Sequence, residues 1–329
     1  MKQKRRTGRA KKGSEGRASV PPAPGGRRAV AAASGNLFDQ IGGFVRQLGN
    51  MVDARVLSSL RREIADRMRR IPTRLNAYGY DPWGLNRDFA RQLMLPTALL
   101  YRYYFRAETH GIENLPSGRV LLIGNHAGQV ALDAAMISAA CFFEAEPPRI
   151  IRGMGEYWLP TVPFVNVLMV RSGSVVGTPK NCVDLLENDE AVIAFPEGVR
   201  GMNKLYRDAY KLQEFGLGFM RLAIETRTPI VPVAVVGSEE QAPGIANLQS
   251  LGRLLGMPAF PITLTFPWLG PLGLLPLPVR YRIYFGQPMH FAGDPDDEDE
   301  VVAQLVEQVK STIHGMLERG LRDRESVFF

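Results

Sequence analysis

The chain has 329 residues, 45% of them hydrophobic and 22% charged, so it can bury a sizeable core as one large domain or two small ones. Its net charge is +7, but residues 1–35 contain ten Lys or Arg against one Glu, which gives +9 there and leaves −2 for the rest. A folded part without excess positive charge is not typical of a nucleic-acid-binding domain. Two cysteines without a C-x-x-C motif and four histidines without zinc-site spacing predict neither a disulfide framework nor a metal centre.

The chain begins with two segments that differ from the rest. Residues 1–35, rich in Lys, Arg, Gly, Pro, Ser and Ala, are predicted to form a disordered basic tail. Residues 36–75 repeat apolar side chains every three or four positions, which predicts an amphipathic helical segment. This segment either packs on the main domain or lies on a membrane surface or at an oligomer interface.

From residue 76 onward the pattern alternates between short apolar runs and helical stretches. The predicted strands are residues 120–123, 149–152, 191–195, 230–236 and 279–285, and the predicted helices are residues 131–143, 178–186, 214–225 and 297–320. Strands that alternate with helices indicate an α/β domain with a largely parallel sheet, and we place it at residues 76–322. Residues 254–279 carry no charge but contain six prolines, so we expect an apolar, irregular segment and no transmembrane helix. This segment either lines a route for lipid chains or is a loop that completes the core.

A histidine follows the first predicted buried strand directly, in the run Gly124-Asn125-His126, and Asp133 comes seven residues later. Active sites in open α/β sheets gather where strands end and loops begin. An imidazole can take a proton from a hydroxyl near neutral pH, and it does so better when a carboxylate holds its other nitrogen. Position alone leaves a structural role for this histidine open.

A second charged group follows another predicted strand, in the run Phe195-Pro196-Glu197-Gly198-Val199-Arg200. Glu and Arg rarely fill a core unless they are paired or functional. Lys204 follows closely, and such basic groups either meet a phosphate of a substrate or belong to a solvated face. The signatures of serine hydrolases, P-loop nucleotide binding and dinucleotide binding are missing from the sequence.

Together these motifs resemble the glycerolipid acyltransferase superfamily over roughly residues 80–290. The His126 run with Asp133 resembles its first block, residues 155–173 with Arg171 its second, the Glu197 run its third and residues 229–233 its fourth. At the usual place of the aspartate this chain has Ala131. This wider spacing resembles the branch related to monoacylglycerol and diacylglycerol acyltransferases, as do the runs at residues 81–84 and 285–288. The wider spacing also makes Glu197 an alternative to Asp133 as the partner of His126.

The resemblance implies an α/β domain of helices around a mixed, mostly parallel sheet, and an acyl transfer with His126 as general base. Its implied partners are an acyl thioester of coenzyme A or acyl carrier protein, a glycerolipid or lysophospholipid acceptor and a membrane surface, without a cofactor, a metal or a specific nucleic acid. Asn125, Arg171, Glu197, Gly198, Arg200 and Lys204 are the expected substrate-binding residues, and backbone N–H groups near a helix start are expected to hold the oxyanion.

The expected location is the cytoplasmic face of a membrane, as a peripheral or monotopic protein. Three alternatives stay open at this stage. The same fold could serve a non-catalytic lipid-binding or membrane-organising protein, the basic tail could bind nucleic acid or anionic membrane, and a hydrolase could release free fatty acid.

Overall fold

The computed structural model describes residue 43 and residues 52–129, 131–161, 164–254 and 260–328. The predicted tail lies outside the described residues, as does most of residues 36–51. The rest of the predicted amphipathic segment forms helix α1, Ala54–Arg70, whose N-cap Asp53 accepts a hydrogen bond from the Arg55 N–H. Three α1 side chains are buried in the main core: Leu60, Ile64 and Met68. The described part of this segment therefore packs on the domain.

Nine strands are described: β1 (Glu108–His110), β2 (Val120–Gly124), β3 (Ile151–Gly155), β4 (Val175–Val176), β5 (Ala191–Ala194), β6 (Ile230–Val236), β7 (Gly244–Leu248), β8 (Phe260–Thr263) and β9 (Arg282–Phe285). Seven form one sheet in the order β1-β9-β6-β2-β5-β3-β4, and β7 and β8 form a separate antiparallel pair. Within the seven-stranded sheet only the β6–β9 pairing is antiparallel. This agrees with the predicted mostly parallel α/β fold.

Helices cover both faces of the sheet, as the continuous apolar runs of its central strands require. The helices after α1 are α2 (Arg87–Leu99), α3 (Leu132–Phe143), α4 (Val165–Ser172), α5 (Pro179–Glu187), α6 (Val199–Met202), α7 (Gly218–Glu225), α8 (Gln249–Leu254) and α9 (Asp299–Arg322). One core cluster joins α1, α2 and α3 to one sheet face, and a second joins α5, α7 and α9 to the other. Strands β2, β3, β5 and β6 run parallel, so the loops after them meet at one edge of the sheet.

Some boundaries differ from the prediction. The strand predicted at residues 149–152 is β3, Ile151–Gly155, because the Arg149 backbone N–H donates to the Cys141 carbonyl of α3 and not to a neighbouring strand. The helix predicted from residue 214 begins at Gly218, because the preceding residues tie back to other loops, as in the bond from the Gly216 N–H to the Pro196 carbonyl. The strand predicted at residues 279–285 is shortened to Arg282–Phe285.

The proline-rich segment at residues 254–279 is irregular in its described part. It contributes β8 and the 3-10 helix Gly270–Leu274. Within the described residues, no helix has the length and apolar character to cross a membrane.

Candidate active site

The loop after β2 places His126 at the edge of the sheet. It turns back into α3 through Gly128, whose φ of +87° lies in the left-handed region that favours glycine. A β-carbon on Gly128 would also lie 2.2 Å from the Ser238 carbonyl oxygen, so the loop passes tightly over the segment after β6. Helix α3 begins at Leu132, which brings Asp133 into its first turn, next to the loop.

His126 and Asp133 form a buried pair. The Asp133 Oδ2 atom lies 2.8 Å from His126 Nδ1 and also accepts a hydrogen bond from the Ala127 N–H at 3.0 Å. The Asp133 side chain is fully buried, whereas 12% of the His126 side chain is exposed. Because a carboxylate accepts at Nδ1, the neutral ring carries its proton there and leaves Nε2 as the basic nitrogen. The ring also stacks on Phe195, with centroids 4.3 Å apart.

The surroundings of His126 favour its protonated form. Burial of the ring lowers its pKa, but the Asp133 carboxylate outweighs burial, and the pKa is raised above the ordinary histidine value. Glu197 raises the pKa further, whereas Lys204 lowers it. The site therefore contains charges of both signs that shift the pKa of the same imidazole.

Glu197 contacts the backbone of His126 and not its ring. Its Oε1 accepts a hydrogen bond from the His126 N–H at 3.0 Å, and its Oε2 accepts one from the Gln213 N–H at 2.8 Å. The residue is only 2% exposed. The alternative in which Glu197 replaces Asp133 as the partner of the ring is therefore wrong in this structure, because both oxygens of Glu197 are engaged by backbone N–H groups.

A buried ionic chain continues from Glu197. The Lys204 ammonium lies 3.6 Å from Glu197 Oε2 and 2.9 Å from Glu239 Oε1, and the Glu239 carboxylate also accepts a hydrogen bond from the Tyr210 N–H. Desolvation raises the pKa of Glu239, although Lys204 opposes this effect. This row of ionic side chains links the loops after β2, β5 and β6. Sequence reasoning missed Glu239; a sequence cue was the polar run Ser238-Glu239-Glu240-Gln241 directly after a buried strand.

Two of the predicted substrate-binding side chains are buried in the structure. Asn125 is 1% exposed, and its amide both donates to the Val235 carbonyl and accepts from the Val235 N–H, so it ties β2 to β6. Lys204 is buried in the ionic chain described above. Asn125 and Lys204 are therefore corrected from substrate contacts to groups that position the loops, because their polar atoms are already engaged.

The other predicted residues lie on the turn after β5 and on α4. Gly198 has a φ of +55°, and a β-carbon there would lie 3.1 Å from Glu156 Oε1. Arg200 is exposed and pairs with the still more exposed Glu214 at 3.0 Å. The exposed Arg171 lies in the last turn of α4, with its guanidinium 5.9 Å from the centre of the Phe89 ring. No cluster of His, Cys, Asp or Glu in the described part of the chain is arranged to hold a metal ion.

Sequence comparisons with known proteins agree with the motifs. A family model described as Acyltransferase matches residues 106–236. An uncharacterized protein of Mycobacterium leprae is 37% identical over 258 residues, which is 77% of this chain and 70% of the relative. The human "DGAT1/2-independent enzyme synthesizing storage lipids" is 24% identical over 255 residues, which is 75% of this chain and 70% of the relative. The crystal structure of a 1-acyl-sn-glycerophosphate acyltransferase from Thermotoga maritima aligns with 92% of this chain and 99% of its own, at 16% identity and a TM-score of 0.48.

Proposed function

The chain belongs to the glycerolipid acyltransferase family, and from this premise we propose that it transfers a fatty acyl group from a thioester to a lipid hydroxyl, with His126 as general base. The observation that carries the proposal is the pair of His126 Nδ1 and Asp133 Oδ2, 2.8 Å apart at the carboxyl edge of the parallel strands. A base oriented in this way presents Nε2 to an incoming hydroxyl.

The proposed reaction proceeds by direct transfer. Nε2 of His126 takes the proton of the acceptor hydroxyl while its oxygen attacks the thioester carbonyl carbon. The tetrahedral intermediate then collapses, the carbon–sulfur bond breaks, and the thiolate takes the proton from His126. The products are an ester and a free thiol, and Asp133 stabilises the imidazolium between the two proton transfers.

Three backbone N–H groups of the histidine loop are engaged within the protein. The His126 N–H donates to Glu197, the Ala127 N–H to Asp133 and the Gln129 N–H to the Met202 carbonyl. These groups therefore do not stabilise the oxyanion of the intermediate, and the expected backbone donors have to come from elsewhere in the site.

The proposed acceptor is a neutral glycerolipid such as monoacylglycerol or diacylglycerol. Lys204, a candidate phosphate ligand by sequence, neutralises Glu197 and Glu239 in the interior, and Arg200 pairs with Glu214. A phosphorylated acceptor would have to compete with these carboxylates. The storage-lipid synthesis named for the mammalian relatives supports the same choice. The proposed donor is acyl-CoA or an acyl carrier protein thioester, and the proposed place of reaction is a membrane surface.

The direct test is an assay with defined substrates. The purified protein is incubated with acyl-CoA and, separately, with monoacylglycerol, diacylglycerol and a set of lysophospholipids, and the products are identified by mass. We expect an acylated neutral glycerolipid and a stoichiometric amount of free coenzyme A. Release of free fatty acid that does not depend on the acceptor would instead identify a hydrolase, and acylation of lysophospholipids alone would exclude the neutral acceptor.

A further inference from the structure

Helix α4 exposes apolar side chains that a helix of a globular domain normally buries. The helix has the sequence Val-Asn-Val-Leu-Met-Val-Arg-Ser, and none of its residues is buried. Phe164, directly before the helix, is 56% exposed, and Val167 and Leu168 within it are 44% and 39% exposed. Contiguous exposed apolar surface of this kind marks an interaction site.

A second exposed apolar surface lies on the unit formed by β7, β8 and the residues that follow, which we call the β7–β8 unit (residues 244–254 and 260–274). Leu264, Trp268 and Leu269 are 60–70% exposed. Trp268 and Leu269 follow the turn after β8 and lead into the 3-10 helix Gly270–Leu274. Both surfaces therefore belong to segments that follow strands of the main sheet at the edge where His126 lies.

The two surfaces flank the catalytic loops. On one side, the loop before α4 contacts the turn after β5, since a β-carbon on Gly198 would meet Glu156 at 3.1 Å. On the other side, the Asn247 side chain in β7 donates to the Asn203 carbonyl at 2.5 Å. Residues 198–203 thus run from one apolar unit to the other, and Glu197, at the start of this turn, holds the His126 backbone.

The charge of the two segments favours a membrane as their partner. The sequence contains no Asp or Glu at residues 157–183 or at residues 241–293, although the whole chain contains 33 of them. The exposed Arg171 lies in the last turn of α4. An apolar surface without acidic groups, next to an arginine, is complementary to a bilayer of anionic lipids, which attracts basic groups and repels acidic ones.

We propose that α4 and the β7–β8 unit form one membrane-docking surface, which seats the His126 loop against an anionic bilayer. This inference rests on the proposed function, because a lipid acceptor enters the site from that bilayer. The surface is bipartite: each half contributes side chains that enter the lipid interface, and residues 198–203 connect them above the headgroups.

Substitution on α4 tests the α4 half of this surface. Val167→Asp places a charge where the proposal puts lipid, and Val301→Asp makes the same change at an equally exposed helical valine of α9, among acidic residues. With the full chain and vesicles of equal parts phosphatidylcholine and phosphatidylglycerol, we expect Val167→Asp to weaken binding about tenfold or more. Val301→Asp is expected to bind like the parent protein, and thermal unfolding should show both variants folded.

A fluorescent label gives a second readout, which does not require a charged substitution that could unfold the protein. Val167→Cys and Val301→Cys can be labelled selectively, because burial raises the thiol pKa of both native cysteines, Cys141 and Cys182. An environment-sensitive label at position 167 should shift to the blue when vesicles are added, and a label at position 301 should not. A blue shift at position 167 that depends on protein concentration without vesicles would show a second copy on this surface and overturn the proposal.

Transfer between short, water-soluble substrates separates this proposal from the proposed function. If Val167→Asp binds vesicles like the parent, or the label at position 167 stays in water, the docking surface is wrong even when transfer proceeds. If neither the parent nor any variant transfers an acyl group, but vesicle binding behaves as expected, the proposed function fails and the docking surface stands.

Discussion

At the scale of single residues, two carboxylates act on His126 through different atoms. Asp133 contacts the ring nitrogen Nδ1 at 2.8 Å, so it determines the tautomer and stabilises the charged ring. Glu197 contacts the backbone N–H at 3.0 Å, so it fixes the position of the residue and affects the ring only through its field. Lys204, between Glu197 and Glu239, opposes that field.

The first prediction is that neighbouring charges shift the pH profile of transfer in opposite directions. A general base must be neutral, so kcat/KM should rise with pH through the pKa of His126, which lies above the ordinary value of about 6.5. Glu197→Gln removes a group that raises this pKa and should move the rise to lower pH. Lys204→Met removes a group that lowers it and should move the rise to higher pH.

This pair of variants is measured as kcat/KM against pH, with thermal unfolding to confirm that each is folded at the assay temperature. Asp133→Asn is the matched control, since it removes the largest charge that raises the pKa and should shift the rise downward with a fall in kcat. Shifts of Glu197→Gln and Lys204→Met in the same direction would contradict the assignment of His126 as the titrating base.

The place of His126 and its two candidate carboxylate partners could be predicted from the sequence, because His126 and Glu197 each follow a predicted strand closely and Asp133 is only seven residues from His126. The sequence could not decide between Asp133 and Glu197, since the choice depends on α3 beginning at Leu132 and on where the oxygens of Glu197 point. Glu239 could not be predicted as a neighbour, because its place follows from the pairing of β2 with β6 and with β5, which links residues far apart in the chain.

At the scale of elements, a buried arginine fastens the turn before α2 to the sheet. Arg152 in β3 donates to Asp81 at 2.5 Å and to Glu190 at 3.0 Å, and its guanidinium lies 5.4 Å from the ring centre of Trp83. Asp81 also accepts from the Trp83 and Leu85 N–H groups. The Asp81-Pro82-Trp83-Gly84 run, noted as a branch feature in the sequence, is thus held by side chains that are almost fully buried.

The second prediction is that Arg152→Met lowers the free energy of unfolding by about 3–5 kcal/mol, because it leaves Asp81 buried without its partner. Arg61→Met, at an exposed position of α1, is the control and should change stability by less than about 0.5 kcal/mol. Chemical denaturation gives both values. Equal stability of the two variants would show that the ionic contacts of Arg152 contribute nothing net.

The third prediction concerns residues 254–279, which overlap the β7–β8 unit and which the sequence assigns either to a lipid route or to the core. Trp268 and Leu269 are 70% and 60% exposed, which disfavours a core role for these two side chains. The double variant Trp268→Asp, Leu269→Asp should therefore keep its melting temperature, lose vesicle binding or long-chain transfer, and still use a short soluble donor. Unfolding of the variant would restore the core assignment, and normal binding with normal long-chain transfer would exclude both roles.

The central strands were the most predictable elements. The continuous apolar run of β6 was predicted with the bounds that the structure has, Ile230–Val236. The start of α5 was also predictable, because Thr178 caps it and Pro179 occupies its first turn. Boundaries set by distant contacts could not be predicted, as at Gly218, where the loop before α7 bonds to the loop after β5.

At the scale of the whole molecule, positive charge is concentrated at one end of the chain. Residues 1–35 carry +9, whereas the rest of the chain carries −2. The tail lies outside the described residues, so its contribution is a prediction from charge alone. Each basic residue near an anionic surface contributes at most about 1 kcal/mol. Ten such residues are therefore enough to add substantially to membrane binding.

The fourth prediction is that a protein that begins at residue 36 binds anionic vesicles more weakly than the full chain at low salt. The difference should disappear at high salt, because screening removes attraction between exposed charges and lipid headgroups. Flotation with matched neutral vesicles is the control, and there the two proteins should bind equally. Equal binding to anionic vesicles at low and at high salt would exclude the tail as a membrane-binding segment.

The measurement that tests the central claim most directly is the rate of acyl transfer by His126→Ala. The change removes the proposed base at a residue whose side chain is 12% exposed. With acyl-CoA and the acceptor that the parent uses, the rate should fall on the order of 10²–10⁴-fold, while thermal unfolding shows a folded protein. A folded variant that keeps more than about a tenth of the parent rate would contradict His126 as the general base.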